Sequence, residues 1–204
     1  MEATEGMEAV TRVARMVRRV AARGGTKTKG HMAQRVIQEA MKSAVIDPSG
    51  TYRYSLGRQL GGNGPRIVWV MLNPSTADGF VDDPTIRKIC GFSTRWGYSH
   101  VTVVNLFALR STDPRALKRH QDPVGPENDA HIRAAVEQAA TVVCAWGNHG
   151  ALHDRDLVVR RLIRSAGKAA VVLGLNESGA RKQPVHPLYQ PYETQVSVWQ
   201  EPLS

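Results

Sequence analysis

The sequence predicts an α/β fold: a three-layer α/β/α sandwich around a short, mainly parallel sheet, preceded by a basic helical N-terminal arm. Two observations carry this expectation. Apolar runs of strand length recur at 66–72, 100–107, 141–146 and 169–175, the pattern of strands covered on both faces. Segments of helical periodicity alternate with them through short connections, which argues for parallel strands with crossover helices on both faces of a sheet.

In chain order, residues 11–22 set Val13, Met16, Val17 and Val20 at helical spacing among Arg12, Arg15, Arg18, Arg19 and Arg23, an amphipathic pattern. Residues 24–30 form a glycine-bearing basic linker with Lys27 and Lys29. A second helix is expected over 31–45, with Met32, Val36, Ile37, Ala40, Met41 and Ala44 on one face, ended by Asp47-Pro48-Ser49-Gly50. The linker exceeds the turn of about 3–4 residues in a helix-turn-helix. An arm that touches phosphates and a helical pair packed on the domain fit it better. Two parts are therefore expected, a basic extension over 1–50 and an α/β domain over 51–204. In the domain, residues 51–56 alternate as a short edge strand, and 61–65 are a glycine-rich loop.

The strand at 66–72 ends in a polar elbow, Asn73-Pro74-Ser75-Thr76-Ala77-Asp78. Pro74 removes a backbone donor and biases Asn73 toward an extended conformation. Asp83-Pro84 starts a helix with Ile86, Ile89, Cys90 and Phe92 inward, Pro84 suiting its first position. The second strand ends in Asn105. After Asp113-Pro114 and a proline-bearing loop, a helix covers about 127–140. The third strand ends in Trp146-Gly147-Asn148. A basic helix over 152–166 turns Leu157, Val158, Leu162 and Ile163 inward, and a fourth strand leads to Val185-His186-Pro187-Leu188-Tyr189. In a parallel sheet these four strand ends share one edge, where open α/β sheets bind ligands.

A net charge of +9 over 204 residues, with arginine exceeding lysine, favours a polyanionic partner, nucleic acid before membrane. Cys90 and Cys144 are the only cysteines, too few for a disulfide framework, zinc ribbon or four-cysteine cluster within one chain. No apolar run approaches the ~18 residues of a membrane span, and the N-terminus lacks the apolar core of a signal peptide, so a cytoplasmic chain is expected. His149 and His153 are four apart but have no evident third partner for a metal. The 61–65 loop lacks the lysine and spacing of a phosphate loop.

The stretches MLNPSTAD with VDDPTIR, RWGY, NLFALRSTDP, WGNHG and GLNESG with HPLY resemble a bacterial and phage family catalogued only as a domain of unknown function, over about Tyr52 to Trp199. The order of segments is also similar to the uracil-DNA glycosylase-like superfamily. There one strand ends in an Asn-Pro or Asp-Pro elbow, a later strand in a base-reading Asn, and a His-Pro loop closes the site. This chain departs from that pattern at Met71, where glycine is usual, and at Leu188, where the closing loop often has serine.

The resemblance implies hydrolysis of an N-glycosidic bond, in which positive charge builds on the sugar and negative charge on the departing base. Asn73 would position the water and His186 would donate to the base carbonyl. Asn105 would read the pairing edge, with Phe80 and Trp146 lining the base pocket. Asp78, Asp82 or Asp83 could supply a carboxylate that Asn73 lacks, although capping of the following helix is the plainer role for Asp82 or Asp83. Ser75, Arg15, Arg18, Arg19, Arg23, Lys27 and Lys29 would contact the nucleic acid. The departures point to an unusual or modified pyrimidine in DNA, for repair or for defence against foreign modified DNA. No cofactor or metal is implied, and a monomer is expected. Two alternatives stand beside it: a non-catalytic nucleic-acid-binding module with a relict base pocket, and an N-glycosidase acting on free nucleosides or nucleotides.

Overall fold

The computed structural model describes residues 41–75, 81–113, 115–177 and 181–200. The chain divides into two compact units, Met1–Ser43 and Ala44–Ser204; the described elements lie in the second, except that the strand Lys42–Ile46 begins two residues before the division. The expected helix at 11–22, the linker and Arg15, Arg18, Arg19, Arg23, Lys27 and Lys29 lie outside the described residues.

The second unit is a mixed α/β structure. A seven-stranded sheet has the order β1-β2-β4-β3-β5-β6-β9. Its strands are β1 (Lys42–Ile46), β2 (Arg53–Gln59), β3 (Arg66–Met71), β4 (His100–Asn105), β5 (Thr141–Cys144), β6 (Ala170–Val172) and β9 (Ser197–Val198). A separate two-stranded ribbon pairs β7 (Leu175–Asn176) with β8 (Gln183–Pro184). The four central strands β4-β3-β5-β6 run parallel, with β2 and β9 antiparallel to their neighbours. Four α-helices accompany them among the described residues: α1 (Pro84–Arg95), α2 (Ala116–Arg119), α3 (Asn128–Glu137) and α4 (Arg155–Ser165). No described helix is long and apolar enough to cross a membrane.

Alternation along each strand builds a core on both faces. Ile67, Trp69 and Met71 of β3, with Val101 and Val103 of β4, pack under Ile86, Ile89 and Phe92 of α1. Val68, Val70, Val104 and Val142 face the other way, against Ile132 and Val136 of α3 and Val159 and Ile163 of α4. Burying each such aliphatic or aromatic side chain stabilises the fold by roughly 1.5–3 kcal/mol. β3 thus sends its helix to one face, while both neighbours, β4 and β5, lead to helices on the other. The carboxyl end of β3 is flanked by a topological switch on each side, the position at which α/β sheets open a crevice.

Three expectations are corrected. The helix placed over 31–45 does not reach Val45, because Lys42–Ile46 is a strand of the sheet. Asp47 folds the chain back, accepting from the Tyr52 amide at 2.7 Å. That turn aligns 42–46 with β2. The strand expected at the edge over 51–56 instead begins at Arg53, runs to Gln59 and lies inside the sheet between β1 and β4. On α4 the buried residues are Arg155, Asp156, Val159, Arg160 and Ile163, with Leu157, Val158 and Leu162 only partly covered. Its charged residues find partners inside, so charge misreports which face is outward.

Candidate functional site

At the elbow after β3, Asn73 donates from Nδ2 to the carbonyls of Ser111 (2.8 Å) and Pro74 (3.1 Å). The Ser111 amide returns a bond to Pro74 O at 2.9 Å. The loops after β3 and β4 are thereby joined. Both bonds run from Nδ2, which leaves Oδ1 of half-buried Asn73 as the acceptor not used by this clamp.

Asp83 caps α1, its Oδ1 accepting from the Ile86 amide at 2.8 Å, with Pro84 at the first helical position. Oδ2 lies 3.4 Å from the Ser75 hydroxyl. Asp82 instead pairs with buried Arg58 of β2 at 2.8 Å. Asp78 and Phe80 lie outside the described residues.

Asn105 stands beside Met71 in the β3–β4 register and alternates onto the α1 face with Val101 and Val103. It is 2 % exposed, and its carboxamide makes no hydrogen bond to another described residue. Its backbone carbonyl accepts from the Asn128 amide at 3.0 Å. Nearby, β2 and β4 lose register: Leu56 pairs with Val103 but Tyr52 with Leu109. Four residues on one strand span six on the other, a bulge that loosens the sheet beside Asn105.

His186 enters from the β8 side over the end of β5. Its Cβ would lie 3.8 Å from a Cβ on Gly147, whose φ of +77° suits glycine. Nδ1 accepts from the Leu188 amide at 3.3 Å, so in the neutral ring the proton sits on Nε2. Burial holds the imidazole below its ordinary pKa of 6.5, with the Asp83 charge opposing the shift. The arrangement is a neutral imidazole with an N–H donor. The same Asp83 field reaches Arg53, which is 5 % exposed and is lowered to about 10 by burial and then by Arg110.

Trp146 is not in the cleft. Its indole is core, donating to Gln183 Oε1 at 2.7 Å and packing on Trp199 with ring centroids 5.4 Å apart. His149 is exposed, and His153 takes a left-handed φ of 53° just ahead of α4. Two residues near the site had no sequence signal of their own. Arg53 looked like one position in an alternating strand. Tyr189 read as the end of a His-Pro loop, whereas it is 81 % exposed with its ring 6.0 Å from that of His186.

The fold is that of an α/β protein that carries Asn73 and Asn105 at the carboxyl ends of parallel strands, with His186 beside Gly147 after β5. Residues 53–188, about two thirds of the chain, match the family described as "Protein of unknown function (DUF1643)", and the chain belongs to that family. No curated protein and no solved structure matches it.

Proposed function

We propose that the chain is a monomeric, cytoplasmic DNA glycosylase of the uracil-DNA glycosylase-like type, releasing an unusual or modified pyrimidine flipped out of DNA, in repair or in defence against foreign modified DNA. The observation that carries this reading is the Asn105 carboxamide at the end of β4, which makes no hydrogen bond to another described residue. A carboxamide carries both a donor and an acceptor, which a ligand with a facing donor and acceptor can pair. The pairing edge of a nucleobase is such a ligand.

The chemistry follows from the neighbours. Water oriented by Asn73 Oδ1 bonds to the sugar C1′ as the C1′–N bond breaks and its electron pair leaves with the base. The Nε2–H of His186 donates to the base oxygen on which that charge collects. The proton released by the water passes to a carboxylate, with Asp83 within electrostatic reach of His186. The net charge of +9 suits a polyanionic substrate.

The test is a panel of DNA duplexes and single strands, each bearing one modified pyrimidine, incubated with the protein and then treated with alkali. Strand breaks that appear only after alkali, with free base recovered, are the expected result. Retention of every base despite binding would overturn the reading in favour of a binding module.

A further inference from the structure

The Trp146 indole N–H donates to Gln183 Oε1 at 2.7 Å, and Gln183 Nε2 donates to Asp156 Oδ2 at 2.9 Å. All three side chains are buried. An indole only donates and a carboxylate only accepts, so the Gln183 amide has one satisfiable orientation. Asp156 lies in the first turn of α4, and Arg181 contacts it at 3.3 Å while pairing with Asp154 at 2.7 Å. Gly150 closes the assembly from above: a Cβ there would fall 2.1 Å from Trp146 Nε1 and 2.6 Å from Gln183 Oε1. Backbone bonds fasten the same segment, Gly147 N to Pro184 O at 2.9 Å and Val185 N to Gly174 O at 3.0 Å. The next residue is His186.

We propose that Trp146, Gln183 and Asp156 are positioning residues for His186: a buried hydrogen-bond chain from the end of β5 through β8 to the start of α4 that fixes the loop carrying the imidazole. An apolar core of equal volume would supply comparable stability, since burying polar groups gains little net energy. What a chain of directional hydrogen bonds adds is a single geometry. Only two residues separate Gln183 from His186, so a shift at the amide is transmitted through a short, doubly bonded segment. The purpose of this chain rests on the base-release reading, but its existence does not.

The test reads His186 directly, by NMR of full-length protein with 15N-labelled histidine, the resonance being assigned by its loss in His186→Gln. Asp83 at the cap of α1 and Tyr189 in the turn of His186 are the groups that also face this ring. They are left unchanged. Gln183→Glu sets two carboxylates against each other, and the His186 signals are expected to shift and broaden, with the titration midpoint moving up toward 6.5 as the ring gains water. Adding Asp156→Asn restores the complement, because position 183 then accepts from both the indole and the new amide; the wild-type His186 spectrum is expected to return. Trp146→Phe, which removes one donor and keeps the ring stack, gives a milder variant should Gln183→Glu fail to fold, with a shift in the same direction. A wild-type His186 spectrum in a folded Gln183→Glu or Trp146→Phe protein would overturn the proposal. So would a double variant that recovers its melting temperature without recovering that spectrum. None of these readouts needs a substrate. Failure to release any base would therefore count against the proposed activity and leave the positioning chain standing.

Discussion

Asn73 Nδ2 donates to the Ser111 carbonyl at 2.8 Å, so the residue at the elbow of β3 also holds the segment that follows β4. Asn73→Ala is therefore expected to act twice. Losing a donor to a half-buried carbonyl should lower stability by about 1–3 kcal/mol. Losing the oriented acceptor should lower turnover on the order of 10²–10³-fold, with affinity for substrate DNA near normal. Asn73→Asp is expected to be less stable than Asn73→Ala at neutral pH, since it aims a carboxylate at two carbonyls. It should recover as the pH falls and the protonated acid regains a donor. Thermal melts across pH check this, and a pH-independent Asn73→Asp difference would contradict the clamp.

His186 titrates below its ordinary value of 6.5 because burial disfavours the charged ring. The unfolded chain then binds this proton more readily than the folded one. Stability from this group is complete above about pH 6.5 and is lost as the pH falls from there toward the folded value. Protonation also removes the acceptor used by Leu188, so turnover should share this acid limb. Asp83→Asn retains a good helix cap but deletes the charge that raises His186, and the NMR midpoint is expected to move lower still. An upward movement would mean that Asp83 does not act on this ring. His186→Ala should reduce turnover far more than affinity.

The basic arm is expected to add affinity without selectivity. Deletion is best made at residue 40, because Lys42–Ile46 is a strand of the sheet and a cut at 46 would damage the fold. Removing 1–40, or replacing Arg15, Arg18, Arg19 and Arg23, should weaken binding to all DNAs alike and flatten its salt dependence. Filter binding across salt concentrations measures both. A changed base preference would show that the arm takes part in recognition.

The central sheet was legible because fully buried parallel strands are written as unbroken apolar runs, and 66–72, 100–105 and 141–145 have no other reading. The Asp83-Pro84 helix start was legible for a local reason, a capping carboxylate before a residue that fits only the first turn. What the sequence did not reveal depends on partners distant along the chain. Lys42–Ile46 has helical spacing within itself and becomes a strand only because the Asp47 turn lays it beside β2. Trp146 sits at a strand end like Asn105, yet alternation sends the indole into the opposite core, where Gln183, 37 residues on, supplies its acceptor. The burial of Arg155, Asp156 and Arg160 likewise follows from partners that no helical pattern announces. At the candidate site, Asn73, Asn105, Asp83 and His186 could each be named from the chain. The clamp on Ser111 and the tautomer of His186 required coordinates.

Asn105 offers the sharpest separation of function from stability. Its carboxamide makes no hydrogen bond to another described residue although the residue is 2 % exposed, so its polar atoms hold no part of the fold together. Asn105→Leu, of similar volume and without polar atoms, should therefore melt at or above the wild-type temperature. A site kept at the expense of stability is the usual sign of selection for activity, and the same variant should lose base release and substrate selectivity. Asn105→Asp should behave oppositely in stability. A carboxylate at this depth has no partner to offset its desolvation, so the protein should be destabilised at neutral pH, and any surviving preference among bases should change because a donor has become an acceptor. Melting curves and the modified-pyrimidine panel, run on both variants, measure the two consequences side by side. A marked loss of stability in Asn105→Leu would mean that the carboxamide already has a structural partner, and the base-reading role would fall with it.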